Sequence, residues 1–521
     1  MYNIGHHFLL LSLASALCVG CGHPNPHHAS FPDAGPGDTL GVESNDAVPQ
    51  SGPEPPIVLT IDLHVDPLPQ AAPVEERRKT FHERLGNAEW LLDTLEGTGA
   101  KITFLAGPEF YEYCLEDEER EACFEILQRL YDSGGSLGTH THQEVKKGVH
   151  DWPGLPGTAS PEQCHQSWAD AVEMTNAAIS ALMGLTDVDD IMAVNNIHGS
   201  HLPKDDWHYD ELMMAFGFDV LESGPEEDFY GLYGHHIWNV YRPSPDNWMT
   251  EDSNTQYVLV PSGPVIGRVG VHKGVMQDMS VPHVQTMFLQ LLANWQHRVA
   301  TNAPDKMWTF GVAMHAYDIS EGSQVRDAIV SFVDWANTHF VGKSTPEGYP
   351  IARWDGRAAL AKDFESWETN HPESVAFQYP STERNDALYP YLLPIAAQLQ
   401  DAYFTQTLSL GTGVSAYQFD VKDEPVVMLW GQSNENIAVD LSPVFSQSPT
   451  IVVTDSASGE TTQYPTTTVP VSPTAVIIGY KAPDRESIAP QTNPSSAGSC
   501  GDGVCGPKEQ ANPTLCAQDC R

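Results

Sequence analysis

The chain has 521 residues, of which 69 are acidic and 26 basic, for a formal charge of −43. That length allows more than one packed domain, and the charge excludes nucleic acid as a natural partner, because phosphate binding draws on clustered Lys and Arg. So acidic a surface reads as a source of solubility and repulsion between copies, with attraction to a cationic polymer such as a partly deacetylated amino-sugar glycan as the alternative.

Residues 8–19 form an apolar stretch too short to span a bilayer, followed by small residues and Cys21, as in a secretory signal. The segment Leu17-Cys18-Val19-Gly20-Cys21 resembles a bacterial lipoprotein signal, which implies an exported protein, lipid-anchored at Cys21 to the cell envelope or secreted. Residues 1–21 are therefore expected as signal. Residues 22–55, rich in Pro, Gly, Ser and Asp, are expected as a flexible linker. No later segment is long and apolar enough for a membrane helix.

From residue 56 strand and helix patterns alternate. Residues 57–61 read as a strand that runs into Asp62, His64 and Asp66. Phe81, Leu85, Ala88, Leu91, Leu92 and Leu95 recur at helical spacing, residues 102–105 read as a strand, and residues 123–131 as a helix. Gly134-Gly135 leads into the run His140, Thr141, His142. Further strands are expected at 191–194, 217–221, 257–260 and 308–314, with helices at 209–216 and 284–300, the last with Pro282 just ahead of it. This alternation predicts parallel βαβ units and one barrel over residues 56–345, followed by a helical connecting region over 346–403.

After residue 404 the pattern changes to short apolar runs at 426–430, 437–439, 451–453 and 475–478, with Ser458-Gly459 closing a hairpin. These predict a small antiparallel β-sandwich over 404–480. A polar linker, 481–499, leads to a tail, 500–521, that holds Cys500, Cys505, Cys516 and Cys520, four of the nine cysteines. The tail reads as a disulfide-rich module suited to an oxidising compartment, with a zinc knuckle as the alternative. In the body, a Cys114 to Cys123 bridge would leave Cys164 over.

The chemistry gathers at predicted strand ends. Asp62 and His64 close the first strand, His140 and His142 follow the third, and His315 closes a late one. The C-terminal tips of parallel barrel strands are where active sites are built. His140 with His142 or Glu144 supplies imidazole and carboxylate donors of the kind that hold zinc, and residues four apart on a helical turn share a face. His198 and Trp207 are candidates for substrate contact.

Four landmarks in order carry a resemblance. Val58-Leu59-Thr60-Ile61-Asp62 is similar to the first motif of the polysaccharide deacetylases of the NodB-like carbohydrate esterase family, and residues 91–105 look like its following helix, turn and strand. Residues 135–142 resemble its second motif, Ile197-His198-Gly199-Ser200 falls where the third would lie, and Val312-Ala313-Met314-His315 resembles the last. The resemblance implies a distorted (β/α) barrel and a metal-dependent hydrolase that removes N- or O-acetyl groups from an extracellular or cell-envelope polysaccharide, an amino-sugar glycan among them. It implies Asp62 as base, His315 as acid, and a divalent metal, zinc above all, held by His64, His140 and Glu144 or His142. The chain departs from the family pattern at three points. Leu63 and His64 stand where a second aspartate is expected, Glu144 stands where a histidine is expected, and the third motif lacks its arginine, with Asn195, Asn196 and His198 nearby.

Other functions stay open on the same residues. His64-Val65-Asp66 is similar to the His-x-Asp strand end of metal-dependent amidohydrolases and dipeptidases. A glycosidase on the same barrel and a non-catalytic glycan-binding lipoprotein are the remaining alternatives.

Overall fold

The computed structural model describes residues 55–66, 68, 72–142, 161–184, 194–198, 220–221, 239–242, 251–254, 258–260, 263–272, 275–301, 306–372, 399, 402–432, 436–446, 450–456 and 458–480. At 141–142, 161–169, 171–172, 194–198, 220–221, 270–272, 275–278 and 297–301 the backbone alone is described. Every described residue lies in one unit of the chain, within residues 51–521. The expected signal and cysteine-rich tail, Glu144 and Trp207 lie outside the described residues.

Strand β1 (Ile57–Val65) is buried at all 9 positions. A parallel strand covered on both faces is normally a continuous apolar run, and this one is broken by Thr60, Asp62 and His64. Alternate residues share a face, so these three polar side chains line one side of the strand. β1 pairs in parallel with β9 (Trp308–His315) along its length; on its other side it pairs with β10 (Ala352–Trp354) at its start and β2 (Ile102–Ala106) at its end. The sheet continues in parallel through β3 (Ser136–His142), β4 (Val194–His198), β5 (Val220–Leu221) and β6 (Val258–Leu259), giving eight strands.

Helices fill the crossovers. Helix α1 (Val74–Leu95) buries Phe81, Leu85, Ala88, Leu91, Leu92 and Leu95, the spacing read from the sequence, and ends before Gly97 and Gly99, both at positive φ. After β2 come α2 (Pro108–Cys114), with proline in its first turn, and α3 (Arg120–Asp132), joined by the Cys114–Cys123 disulfide. Helix α4 (Pro161–Met183) precedes β4, and α5 (Val281–Thr301) precedes β9. Helix α6 (Gln324–His339) starts at Ser323, whose hydroxyl accepts from Arg326 N. Helix α7 (Arg357–Asn370) follows β10 directly.

Two features extend the sheet beyond the expected outline. Residues 346–403 begin with a strand rather than a helix: β10 is three residues long, too short for any periodicity to register. Beyond β6, the segment 263–266 returns to β9, where Val265 bridges Ala313 in parallel, Ala313 N donates to Pro264 O at 2.9 Å and Ile266 N to Ala313 O at 3.1 Å. A Cβ on Gly263 would lie 1.4 Å from Gly311 O, so only glycine allows this approach. A short antiparallel hairpin, β7 (Val269–His272) and β8 (Val275–Asp278), follows.

The C-terminal region is antiparallel. Strands β11 (Tyr403–Thr407), β12 (Val414–Val421), β13 (Glu424–Gly431), β15 (Ile451–Asp455), β16 (Thr461–Tyr464) and β18 (Val476–Gly479) form one sheet in the order β11-β12-β13-β18-β15-β16, while β14 (Ile437–Asp440) and β17 (Thr468–Val471) pair separately. Val427, Leu429, Val439, Ile451, Val469 and Ile478 make a core of their own, whereas Tyr417, Phe419, Met428 and Ile477 join the core of the parallel sheet. Thr286 of α5 ties the two together, donating to Ala402 O at 3.1 Å and accepting from Phe404 N at 3.0 Å. One face of the antiparallel sheet therefore buttresses α5. No helix among the described residues is long and apolar enough to cross a membrane.

Cys114 and Cys123 are both buried and close a loop with a sequence separation of 9. Replacing both with serine is expected to lower unfolding stability by roughly 2–3 kcal/mol through the freed entropy of the unfolded chain, read as a lower urea midpoint.

Candidate active site

The site is built upward from a buried ion pair. Arg357, the first residue of α7, reaches the middle of β1: Nε donates to Asp62 Oδ1 at 2.6 Å, Nη2 to Asp62 Oδ2, and Nη1 to Val260 O. Both side chains are completely buried. The helix start is held where it must be, because Ala358 N donates to Ser136 Oγ at 3.0 Å and Arg357 N to Thr103 Oγ1 at 3.4 Å. A Cβ at Gly356 would come within 2.7 Å of Ser136 Oγ, so the close approach needs glycine. At the other end of α7, Arg242 Nη2 donates to Glu368 Oε2 at 2.8 Å. Arg357 lies 295 residues from Asp62 along the chain.

Three histidines gather beyond this pair, towards the strand tips. His64 stands beside His315 in the β1–β9 register, with ring centroids 5.3 Å apart, and its ring lies 4.8 Å from that of His140 on β3. Burial above all, and the positive charges that His315 and Arg357 can bring, push the His64 pKa down to about 3 against the opposing pull of Asp62 and Asp66. His64 is accordingly a neutral imidazole. Asp66, just past the end of β1, accepts from or faces two of the rings: its Oδ1 lies 3.1 Å from His140 Nε2 and 3.8 Å from His315 Nε2.

His315 is oriented from behind. Its Nδ1 lies 3.0 Å from Asp318 Oδ2 and 3.2 Å from Arg268 Nη2, while Arg268 donates to the same Asp318 oxygen at 2.8 Å. An ionised carboxylate only accepts, so the proton between His315 and Asp318 belongs on Nδ1. That leaves Nε2 facing the cluster. Burial would raise the Asp318 pKa, but the hydrogen bond and charge of His315, with Arg268, hold it below the usual carboxylate value.

Of the residues expected from the sequence, Asp62, His64, His140 and His315 come together. β3 stays extended through His142, so the helical-turn argument that couples residues four apart does not apply as far as that position. His142 and His198 are described by backbone alone, and Glu144 and Trp207 lie outside the described residues. Four residues that the sequence reading gave no role, or only an alternative one, complete the arrangement: Arg357, Arg268, Asp318 and Asp66. Asp318 had a signal, since it stands three residues after His315 in a turn. Arg357 had little, because its strand and helix start were hidden in a stretch read as helix.

His140 Nε2 and Asp66 Oδ1 form a two-donor edge of the imidazole and carboxylate type that zinc takes, and His64 is in the neutral form that a ligand needs. Among the described residues, however, no three His, Cys, Asp or Glu side chains are disposed to hold one ion. His142 and Glu144 are the sequence candidates for a third donor.

No protein-family model matches the chain and no curated relative matches it. Solved structures similar to it include proteins assigned as polysaccharide deacetylases from Pseudomonas aeruginosa PAO1, at 12% identity and TM-score 0.36 over 61% of this chain and 93% of that one, and from Mycobacterium smegmatis, at 10% identity and TM-score 0.36 over 61% and 96%. A GH30 endoxylanase from Clostridium papyrosolvens C71 is similar at 7% identity and TM-score 0.26 over 82% and 98%. Likeness at this level assigns no role to any residue.

Removing one partner of a buried ion pair strands the other charge. Arg357→Met is therefore expected to destabilise the protein by roughly 3–5 kcal/mol, and Asp62→Leu combined with Arg357→Met to recover part of that loss, measured as a double-mutant cycle in urea. For Asp318 the folded pKa is depressed. Its contribution is thus fully present above the unfolded aspartate value of about 3.9 and is lost as pH falls through the lower folded value. Asp318→Asn should flatten the stability-against-pH curve below about pH 4.

Proposed function

We propose that the chain is a hydrolase acting on carbohydrate, removing N- or O-acetyl groups from a polysaccharide at the cluster of Asp62, His64, Asp66, His140 and His315. The observation that carries this reading is the His315–Asp318 pair, with Nδ1 bound at 3.0 Å and Nε2 turned towards Asp66 beside two further histidines. A histidine so oriented is equipped to give a proton to a departing sugar amine or hydroxyl.

Asp62 is the base. Arg357 binds both carboxylate oxygens and so orients the base. His64, neutral and buried, packs between the rings of His140 and His315. When bound, a divalent metal, zinc above all, would supply Lewis-acid activation of water. His140 and Asp66 would hold it, with a third donor from His142 or Glu144. An exported lipoprotein with Cys21 lipidated would present this site to glycans of the cell envelope.

The test is product analysis with acetylated amino-sugar polymers and acetylated xylan, scoring acetate and new reducing ends separately. Acetate without reducing ends is expected, with turnover lowered about 10²–10⁴-fold in His315→Ala and in Asp62→Asn, the range for loss of a general acid or base. Reducing ends in place of acetate would make the chain a glycosidase, and unchanged turnover in both variants would remove the site. Exhaustive chelation is expected to abolish acetate release, with zinc restoring it.

A further inference from the structure

We propose that Tyr317 is a platform on which a sugar ring of the substrate is seated, making it a binding residue that sets specificity; this rests on the cluster around His315 being the reaction centre. Tyr317 is 46% exposed, while Tyr111 and Tyr241 in the same fold are completely buried. Its ring stacks on His315, with centroids 4.9 Å apart and planes 17° from parallel. One face therefore rests on the proton donor, and exposed ring surface remains beside it.

The ring is held still by its surroundings. Ala316 N donates to His64 O at 2.7 Å, Ala316 O accepts from Asn87 Nδ2 at 2.8 Å, and Asp318 N donates to His315 O at 2.9 Å, so the backbone is fixed on both sides of Tyr317. The phenol interacts with Arg268, which is itself bound to Asp318. A fixed aromatic ring loses little conformational entropy when it is covered.

A pyranose ring fits this surface better than a lipid chain or a flat aromatic ligand does. It has an apolar C–H face for the tyrosine and a polar edge for the charged groups around it, Asp66, Asp318 and Arg268. Its position against His315 puts the sugar that carries the scissile bond, rather than a distant unit of the polymer, over the ring.

The experiment compares Tyr317→Leu and Tyr317→Phe on an N-acetylated amino-sugar oligosaccharide and on p-nitrophenyl acetate, which has no sugar, with circular dichroism and thermal midpoints as fold controls. In Tyr317→Leu the KM for the oligosaccharide should rise about tenfold, the order of one aromatic contact. The oligosaccharide-to-ester ratio of kcat/KM should fall by a similar factor, and Tyr317→Phe should retain most of both. An unchanged KM in Tyr317→Leu would overturn the proposal. So would an equal fall in kcat on both substrates with a shifted acidic or basic limb, which would make Tyr317 a positioning residue for His315. If the parent protein hydrolyses neither substrate, the reaction proposed above fails, and calorimetric binding of the same oligosaccharide decides for Tyr317 on its own: weaker binding by Tyr317→Leu than by the parent supports it, and equal or absent binding overturns it.

Discussion

Everything at the strand tips depends on a guanidinium and a carboxylate that share no solvent. Asp62 and Arg357 are each completely buried, and such a pair is tolerated only when its geometry is good and its remaining hydrogen-bonding groups are satisfied. Here the pairing is two-pronged, and the remaining arm of Arg357 is bound to Val260 O. The pair ties the middle of β1 to the start of α7, and through Val260 to the end of β6. It links elements that are far apart in sequence and fixes the depth at which the polar face of β1 begins.

Above that floor the order of residues follows from strand periodicity. Asp62 and His64 share a face, and the register of β1 against β9 places His64 beside His315. β3 brings His140 to the other side of His64, and Asp66 lies beyond, in contact with His140. Each outer group has support behind it: Asp318 and Arg268 behind His315, and Arg357 beneath Asp62. The antiparallel sheet adds rigidity at a distance, since Tyr417, Phe419 and Met428 pack into the core that α5 and β9 share.

Much of this was legible in the sequence because it is periodic. The strands at residues 57–61, 102–105 and 308–314 and the apolar stripe of α1 emerge within a residue or a few of their observed bounds, and they carry Asp62, His64 and His315 with them. What was not legible is aperiodic. β10 has three residues, and the arginine that completes the site follows it immediately. The tight turn between β12 and β13 uses Lys422 and Asp423 at φ 53° and 66°, a left-handed pair without the usual glycine. The segment 263–266 joins β9 through a backbone approach that two glycines permit and no side-chain pattern announces. The cluster itself was visible as histidines at strand ends, but its second layer was not, because Arg268 lies 47 residues from His315 and Arg357 295 residues from Asp62, where only the fold brings charge to charge.

The claim that reaches furthest is that His140 and Asp66 form the open edge of a metal-assisted hydrolytic centre. Anomalous diffraction at the zinc edge, from crystals of the full chain grown with zinc, tests it most directly. The account predicts one strong peak within bonding distance of His140 Nε2 and the Asp66 carboxylate, with a third donor from His142 or Glu144. No peak there, or zinc bound elsewhere with the His140–Asp66 hydrogen bond intact, would contradict it.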